Sequence, residues 1–347
     1  KDTIPMKSPH NTQQYVSREI AGSPSTARIK TMRDRYLSEP LMIDAEYIRF
    51  YTDAHKRTDG LHVLERRAEC HAHALENITP IIRDAEPFVG SKTRYVRGAI
   101  PYGNYACQDI LREFRKEDHE AQDRVTDLGT GGGIEEARRL AAGGDYEFFS
   151  QKFLLSKEDK LWVKECAEYW QGKCMQDVGD RLWKAAYGKA DYIENGWKAV
   201  LYSAPHDPAP EGRYVLDFET ALSEGFSNII ERIRKKIREA VVTDCHSAEK
   251  IYFWQAAIRV LEATIRWAHN YAGKAREMAE SETDAGRRTE LLVIADRCDR
   301  VPAHPPRDFR EAMQAFWFIY LAGHIEGSHL GYSPGRFDRY MYPYYQR

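Results

Sequence analysis

Apolar residues recur at three- and four-residue spacing over Ala27–Leu37, Ile43–Ala54 and Leu61–Asn77, with breaks at Pro40 and Gly60 and a stop at Pro80. Three helices are predicted there. The first 25 residues are polar and carry Pro5, Pro9 and Pro24, which reads as an extended arm preceding a single unit from residue 26 to residue 347. Between Ile81 and Pro101 the pattern changes to short β-branched runs punctuated by glycine and proline, so loops and brief strands are expected. Residues 107–200 return to helical spacing with one charged face. Residues 203–213, SAPHDPAPEGR, cannot be regular structure with three prolines and a glycine. Two long helices are then predicted over Leu216–Val242 and Ser247–Glu282. In the second, Trp254, Ile258, Leu261, Ile265, Ala268 and Ala272 form an apolar stripe. A further helix covers Arg287–Cys298. After the proline loop Val301–Pro306, Asp308 is placed to cap an aromatic helix bearing Phe316, Trp317 and Phe318. The predicted fold is mostly helical with few strands, and no internal repeat is visible.

Composition narrows the function classes. The 347 residues hold 51 Lys and Arg against 53 Asp and Glu, a formal net charge of -2, so no basic field suits nucleic acid. There is no run of eighteen apolar residues for a membrane span, and the opening residues do not read as a signal peptide, so a soluble cytoplasmic protein is expected. Cys70, Cys107, Cys166, Cys174, Cys245 and Cys298 show no ligand spacing and are expected as free thiols, with no metal site. The chain starts at Lys1 rather than Met, which reads as a start inside a longer protein.

Several segments invite chemical readings. Val125–Ile134, VTDLGTGGGI, imitates the glycine loop of an adenosylmethionine-dependent methyltransferase. However, the charged stretch before Asp127 makes no buried parallel strand, and no alternating strand–helix pattern follows. A glycine loop shaping an entrance or an interface is the preferred reading. His71 and His73 stand two residues apart on a predicted helix, where side chains diverge, so they cannot chelate one metal together and are expected at the surface or at an interface. The run Lys92, Arg94 and Arg97 is expected as a solvated face or an internal ion-pair site. In the irregular segment, Tyr202, Ser203 and His206 offer hydrogen bonds and an aromatic face, and Arg213 could balance a carboxylate. Near the other end, Ser333-Pro334-Gly335-Arg336-Phe337-Asp338 places a glycine suited to close backbone approach beside two opposite charges.

Four stretches occur in order, and those in the final hundred residues are quite specific. These are LHVLERRA at 61–68, PFVG at 87–90, RVPAHPPRDFREAMQ at 300–314, and SPGRFD at 333–338 followed by YPYY at 342–345. Over residues 30–347 the chain resembles the pyruvate formate-lyase-like glycyl radical enzymes. The resemblance implies an α/β fold: a ten-stranded barrel of two antiparallel five-stranded half-sheets wrapped by helices, of which this chain is the N-terminal part. It also implies a glycyl radical that draws hydrogen from a cysteine, with both residues downstream of Arg347, so no catalytic residue is assigned here. No cofactor is implied as directly bound. The radical would be installed by an adenosylmethionine-dependent iron–sulfur activating enzyme, and a homodimer is expected.

Within that family KTRYVRGAIP at 92–101, with the later Gly129–Gly133 run, looks most like the arylacetate decarboxylases. The expected substrate is a small aromatic acid. Small residues around Ser203 favour indoleacetate, converted to skatole and carbon dioxide, over hydroxyphenylacetate or phenylacetate. In the same picture Leu330, Tyr332 and Ser333 line the pocket, while Arg336 and Asp338 form an ion pair holding its wall. A fumarate-adding synthase or a diol-type lyase is the alternative within the family. A non-catalytic helical interaction module is the alternative of another class.

Overall fold

The computed structural model describes residues 24–105, 107, 110, 124–125, 153–188, 213–327 and 331–347. Helix α1 (Pro24–Ser38) begins two residues inside the expected arm, and α2 (Glu46–Arg57) and α3 (Val63–Asn77) follow the predicted spacing. The start of the second predicted helix is instead a short strand, β1 (Met42–Ile43). It pairs in parallel with β2 (Gly98–Ala99) and with β4 (Phe153–Leu154), and β4 pairs antiparallel with β3 (Arg124–Val125). Residues 107–200, read as helical around a glycine loop, therefore supply two strands. After them come α4 (Lys157–Trp170) and α5 (Met175–Tyr187).

The predicted helix over Leu216–Val242 is broken. Strand β5 (Arg213–Val215) leads into α6 (Phe218–Glu224), and α7 (Phe226–Glu239) starts after Gly225. Gly225 has φ +74°, and a Cβ there would stand 2.7 Å from the Ala303 carbonyl oxygen, so only glycine fits. The freed amides of Phe226 and Ser227 donate to the carbonyls of Pro302 and Ala303, both at 2.9 Å. The proline loop thus caps α7 with backbone.

The remaining elements are α8 (Cys245–Ser281), α9 (Ala285–Arg300), α10 (Phe309–Glu326), β6 (Gly331–Ser333) and α11 (Phe337–Tyr345). Helix α8 packs on α3, on α9 and on α7. Its buried face runs through Ala263, Trp267, Tyr271 and Ala275, so the core lies on its C-terminal half. Trp254 and Ile258, at the start of the expected stripe, are only half-buried. Asp308 caps α10 as expected, accepting from the Glu311 amide at 2.9 Å. No helix among the described residues is long and apolar enough to cross a membrane.

Two of the sequence motifs meet in space. Gln314 of α10, fully buried, donates to the Val89 carbonyl at 2.6 Å and accepts from the Val89 amide at 2.9 Å. One turn on, the Trp317 indole donates to the Gly90 carbonyl at 3.0 Å, and from α8 the Tyr271 hydroxyl accepts from the Ser91 amide at 3.0 Å. Arg297 of α9 donates to the Pro87 carbonyl at 3.0 Å. An irregular loop is thereby satisfied inside the core by side chains from three helices.

The second buried polar centre is Arg94. Its guanidinium donates to Asp44 at 2.9 Å and to the fully buried Asp159 at 2.5 Å. Asp159 also accepts from the Ala45 amide, the Tyr95 hydroxyl and the Ser156 hydroxyl. Of the two readings of the basic run, the internal ion-pair site holds at Arg94.

Replacing Gln314 by Leu keeps the volume but leaves the Val89 amide and carbonyl without partners. A loss of about 2–4 kcal/mol is expected from two buried unsatisfied groups, measured as a lowered urea midpoint against the unaltered protein. An unchanged midpoint would show that the loop finds other partners.

Candidate functional site

The end of α10 and the strand pair β5–β6 build one aromatic wall. β5 and β6 pair in parallel, with Arg213 opposite Gly331, Tyr214 opposite Tyr332 and Val215 opposite Ser333. Parallel pairing lets residues so far apart in sequence present neighbouring positions. From α10, Trp317 stacks on Tyr320 at 5.6 Å between centroids. Tyr320 meets the Tyr332 ring edge-on at 6.1 Å, and Tyr332 lies 5.8 Å from Tyr214. Gly323 makes the contact possible, since a Cβ there would come 3.2 Å from the Tyr332 ring; the Tyr332 hydroxyl donates to the Gly323 carbonyl at 2.9 Å. Burial first, then the Glu326 carboxylate, pushes the Tyr332 hydroxyl up to about 12, so near neutral pH it stays a donor.

Behind Ser333 the chain turns through Pro334 and Gly335. Gly335 has φ +66°, and a Cβ there would meet Val215 Cγ1 at 2.8 Å, so the close approach read from the sequence is present. The Tyr340 hydroxyl of α11 donates to the Pro334 carbonyl at 2.6 Å. Ser333 is consequently held at the exposed end of β6 by its neighbours on both sides. The expected Arg336–Asp338 pair is not formed. Arg336 is the N-cap of α11 and Asp338 lies in its first turn, both exposed. Two positions apart at a helix start, their side chains diverge. Asp338 there faces the positive end of the helix dipole.

Beside the wall, α3, the first half of α8 and the end of α10 enclose an open cavity of about 470 Å³, lined by apolar side chains with Tyr332 at one end. Its polar lining is the Arg67–Glu326 ion pair, His71, Thr264 and Tyr332. Arg67 donates to Glu326 at 2.8 Å, and although burial opposes its charge, Glu326 raises its pKa above the ordinary arginine range. His71 is buried, contrary to its expected surface or interface place, because the Tyr47 hydroxyl provides a partner for Nδ1 at 3.0 Å. His73 turns away to Asn77, so the two imidazoles do diverge. Among the described residues predicted for the site, Tyr332 alone lines this cavity. The candidate chemistry lies on the β5–β6 wall, since the cavity's one full charge pair is already matched.

The structure therefore brings Arg213, Tyr332 and Ser333 onto one two-stranded sheet. Tyr202, Ser203, His206, Leu330 and the Gly129–Gly133 run lie outside the described residues. Tyr214, Arg67 and Glu326 were not singled out in the sequence; the alternation around Tyr214 is too short to signal a strand, and Arg67–Glu326 joins residues far apart. Among the described residues, one cluster has the donor set of a metal site. It consists of Cys107, Cys174 and Asp177, near α5 and away from the wall's elements.

Residues 20–347 match the family described as pyruvate formate lyase-like. The chain belongs to that family. It is 35% identical to the indoleacetate decarboxylase of Tractidigestivibacter scatoligenes over 96% of its own length and 38% of that protein's. It is 27% identical to the 4-hydroxyphenylacetate decarboxylase glycyl radical subunit of Clostridioides difficile, over 93% of this chain and 37% of that one. A structure describing 1,2-propanediol dehydration in Roseburia inulinivorans superposes with a TM-score of 0.74 at 31% identity, over 94% of this chain and 35% of that one. The chain thus spans well under half the length of each. Its mostly helical fold is the matching part of an α/β glycyl radical enzyme.

His71 gives this region a pH signature. Burial lowers its pKa from 6.5 to about 4, so the unfolded chain takes up the proton first as pH falls. The stability from keeping it neutral is complete above pH 6.5 and is lost on the way down to about 4. The loss amounts to about 3 kcal/mol. Relative to His71→Gln, the unaltered protein should lose that much between those pH values, read from paired urea titrations; parallel curves would count against it.

Proposed function

We propose that the protein containing this chain is a glycyl radical carboxy-lyase acting on an arylacetate, with indole-3-acetate as substrate and skatole and carbon dioxide as products. The observation that carries this reading is the 35% identity to an indoleacetate decarboxylase across 96% of the chain, beside 27% to the hydroxyphenylacetate relative. The wall of Trp317, Tyr320, Tyr332 and Tyr214 adds physical support, since an indole ring packs well on offset and edge-on aromatic faces. In this reading Ser333 and Arg213 meet the substrate carboxylate, Tyr332 and Leu330 contact the ring, and Tyr202, Ser203 and His206 complete the pocket. The radical comes from an adenosylmethionine-dependent iron–sulfur activating enzyme, the enzyme works as a homodimer, and it belongs in an anaerobic cytoplasm. A closed site for such chemistry keeps water and oxygen from the radical.

A second reading, dehydration of a diol, is favoured by the 31% identity and 0.74 TM-score to the propanediol structure. A small polyol gains little from an aromatic wall, which weighs against it. The test is anaerobic turnover by the activated whole protein offered indoleacetate, 4-hydroxyphenylacetate and 1,2-propanediol. Skatole should be the main product, with cresol and propanal minor or absent. Loss of a hydrogen bond to a charged group removes about 1.5–3 kcal/mol, so Ser333→Ala should lower kcat/KM for indoleacetate by about ten- to a hundred-fold. Propanal as the main product would overturn the decarboxylase reading.

A further inference from the structure

The cysteine cluster beside α5 has no part in the wall, and its construction is that of a ligand set. Cys107 and Cys174 are both fully buried, although 67 residues separate them, and their sulfurs lie 3.3 Å apart. Asp177 brings an oxygen to 3.6 Å from Cys107 Sγ, and the donor atoms of all three residues fall within 4.8 Å of one another. Cys174 and Asp177 are separated by two residues, the spacing of a chelating knuckle. The local backbone completes that knuckle: Cys174 is the N-cap of α5, and its sulfur accepts from the Asp177 amide at 3.5 Å. The carboxylate is oriented in turn, because Asp177 Oδ2 accepts from the Gly172 amide at 2.6 Å. A pair of thiols alone would not need a carboxylate turned onto it.

We propose that Cys107, Cys174 and Asp177 bind one divalent cation of the zinc type through two thiolates and one carboxylate oxygen, with water as the fourth ligand. Zn–S bonds of about 2.3 Å in a tetrahedron place two sulfurs about 3.8 Å apart, so the pair need part by only a fraction of an ångström. Asp177 is half-buried, which puts the open position on the solvent side. Without the cation, the Cys107 proton holds the cluster together by donating toward Cys174 and Asp177. That hydrogen bond and the Asp177 amide lower the Cys174 pKa. The same bond, with burial and the Asp177 charge, raises that of Cys107. Binding forms two metal–sulfur bonds and one metal–oxygen bond, and it releases up to two thiol protons to solvent. The cation would staple α5 to the helical stretch containing Tyr105, Cys107 and Ile110.

The test uses the whole protein, purified without oxygen and with reductant, stripped with a chelator and titrated with Co²⁺ as an optical probe. A thiolate-to-cobalt charge-transfer band should rise in the near ultraviolet, and added Zn²⁺ should bleach it. Cys107→Ser and Cys174→Ser should each abolish the band, while Cys245→Ser, altering an exposed thiol, should leave it intact. Asp177→Asn, which keeps the shape of a half-buried side chain, should retain the fold by circular dichroism. It should weaken cobalt binding by at least about ten-fold, since loss of even an outer-shell partner of a metal site costs that much. Zn²⁺ should also raise the melting temperature of the unaltered protein more than that of the Asp177 variant. The proposal is overturned by absence of the band, by its survival in both cysteine variants, or by a Cys107–Cys174 disulfide in the reduced protein by mass spectrometry.

Discussion

The structure depends most on one buried side-chain amide. Gln314 satisfies both backbone groups of Val89, and in doing so fixes an irregular loop against α10, while Tyr271 ties the next part of that loop to α8. Because the loop then continues into Arg94 and β2, the same contact sets where the small mixed sheet lies relative to the helical core. A loop of this kind cannot be buried by apolar contacts alone, since its amides and carbonyls would lack partners. The glutamine, the indole of Trp317 and the phenol of Tyr271 answer three successive residues of it. They come from two helices whose own backbone bonds are already made.

Arg94 plays the matching part on the other side of the sheet. It carries a charge into a region where Asp44 and Asp159 are almost wholly buried, and the cluster is tolerable because each carboxylate also takes backbone or hydroxyl donors. The ion cluster joins the end of β1, the 92–97 run and α4. Geometry there is set by directional bonds, and in the α3–α8–α9 core it is set by volume.

Much of this was legible in the sequence because its physics is local. The periodicity gave α2, α3, α8 and α9 close to their observed limits, and Asp308 marked the start of α10. The failures are equally specific. Leu216–Val242 keeps a helical pattern across Gly225, but Gly225 takes φ +74° and the two amides after it donate to the distant Pro302 and Ala303 carbonyls. His71 looked like a surface residue because its partner Tyr47 sits on another helix. Arg336 and Asp338 are near neighbours in the sequence, but at a helix start that spacing turns their side chains apart. On the wall, Tyr332 and Ser333 were marked through the family resemblance and not through periodicity, which a three-residue strand cannot display. Gln314 and Val89 stood in two separate motifs, and nothing in either names the other as its partner.

The parallel pairing of β5 with β6 has a consequence for the order of assembly. Arg213 and Gly331 lie more than a hundred residues apart, and the intervening chain is α6 to α10. Closing so long a loop is entropically unfavourable until that chain has condensed. Local helices and the α8–α9 hairpin can form early, whereas this strand pair has the high contact order of a late event. On a ribosome, β5 must wait as an unpaired edge while the five helices are synthesised. The surface on which Ser333 is presented is then among the last parts of the chain to take shape, and its precision is inherited from everything folded before it.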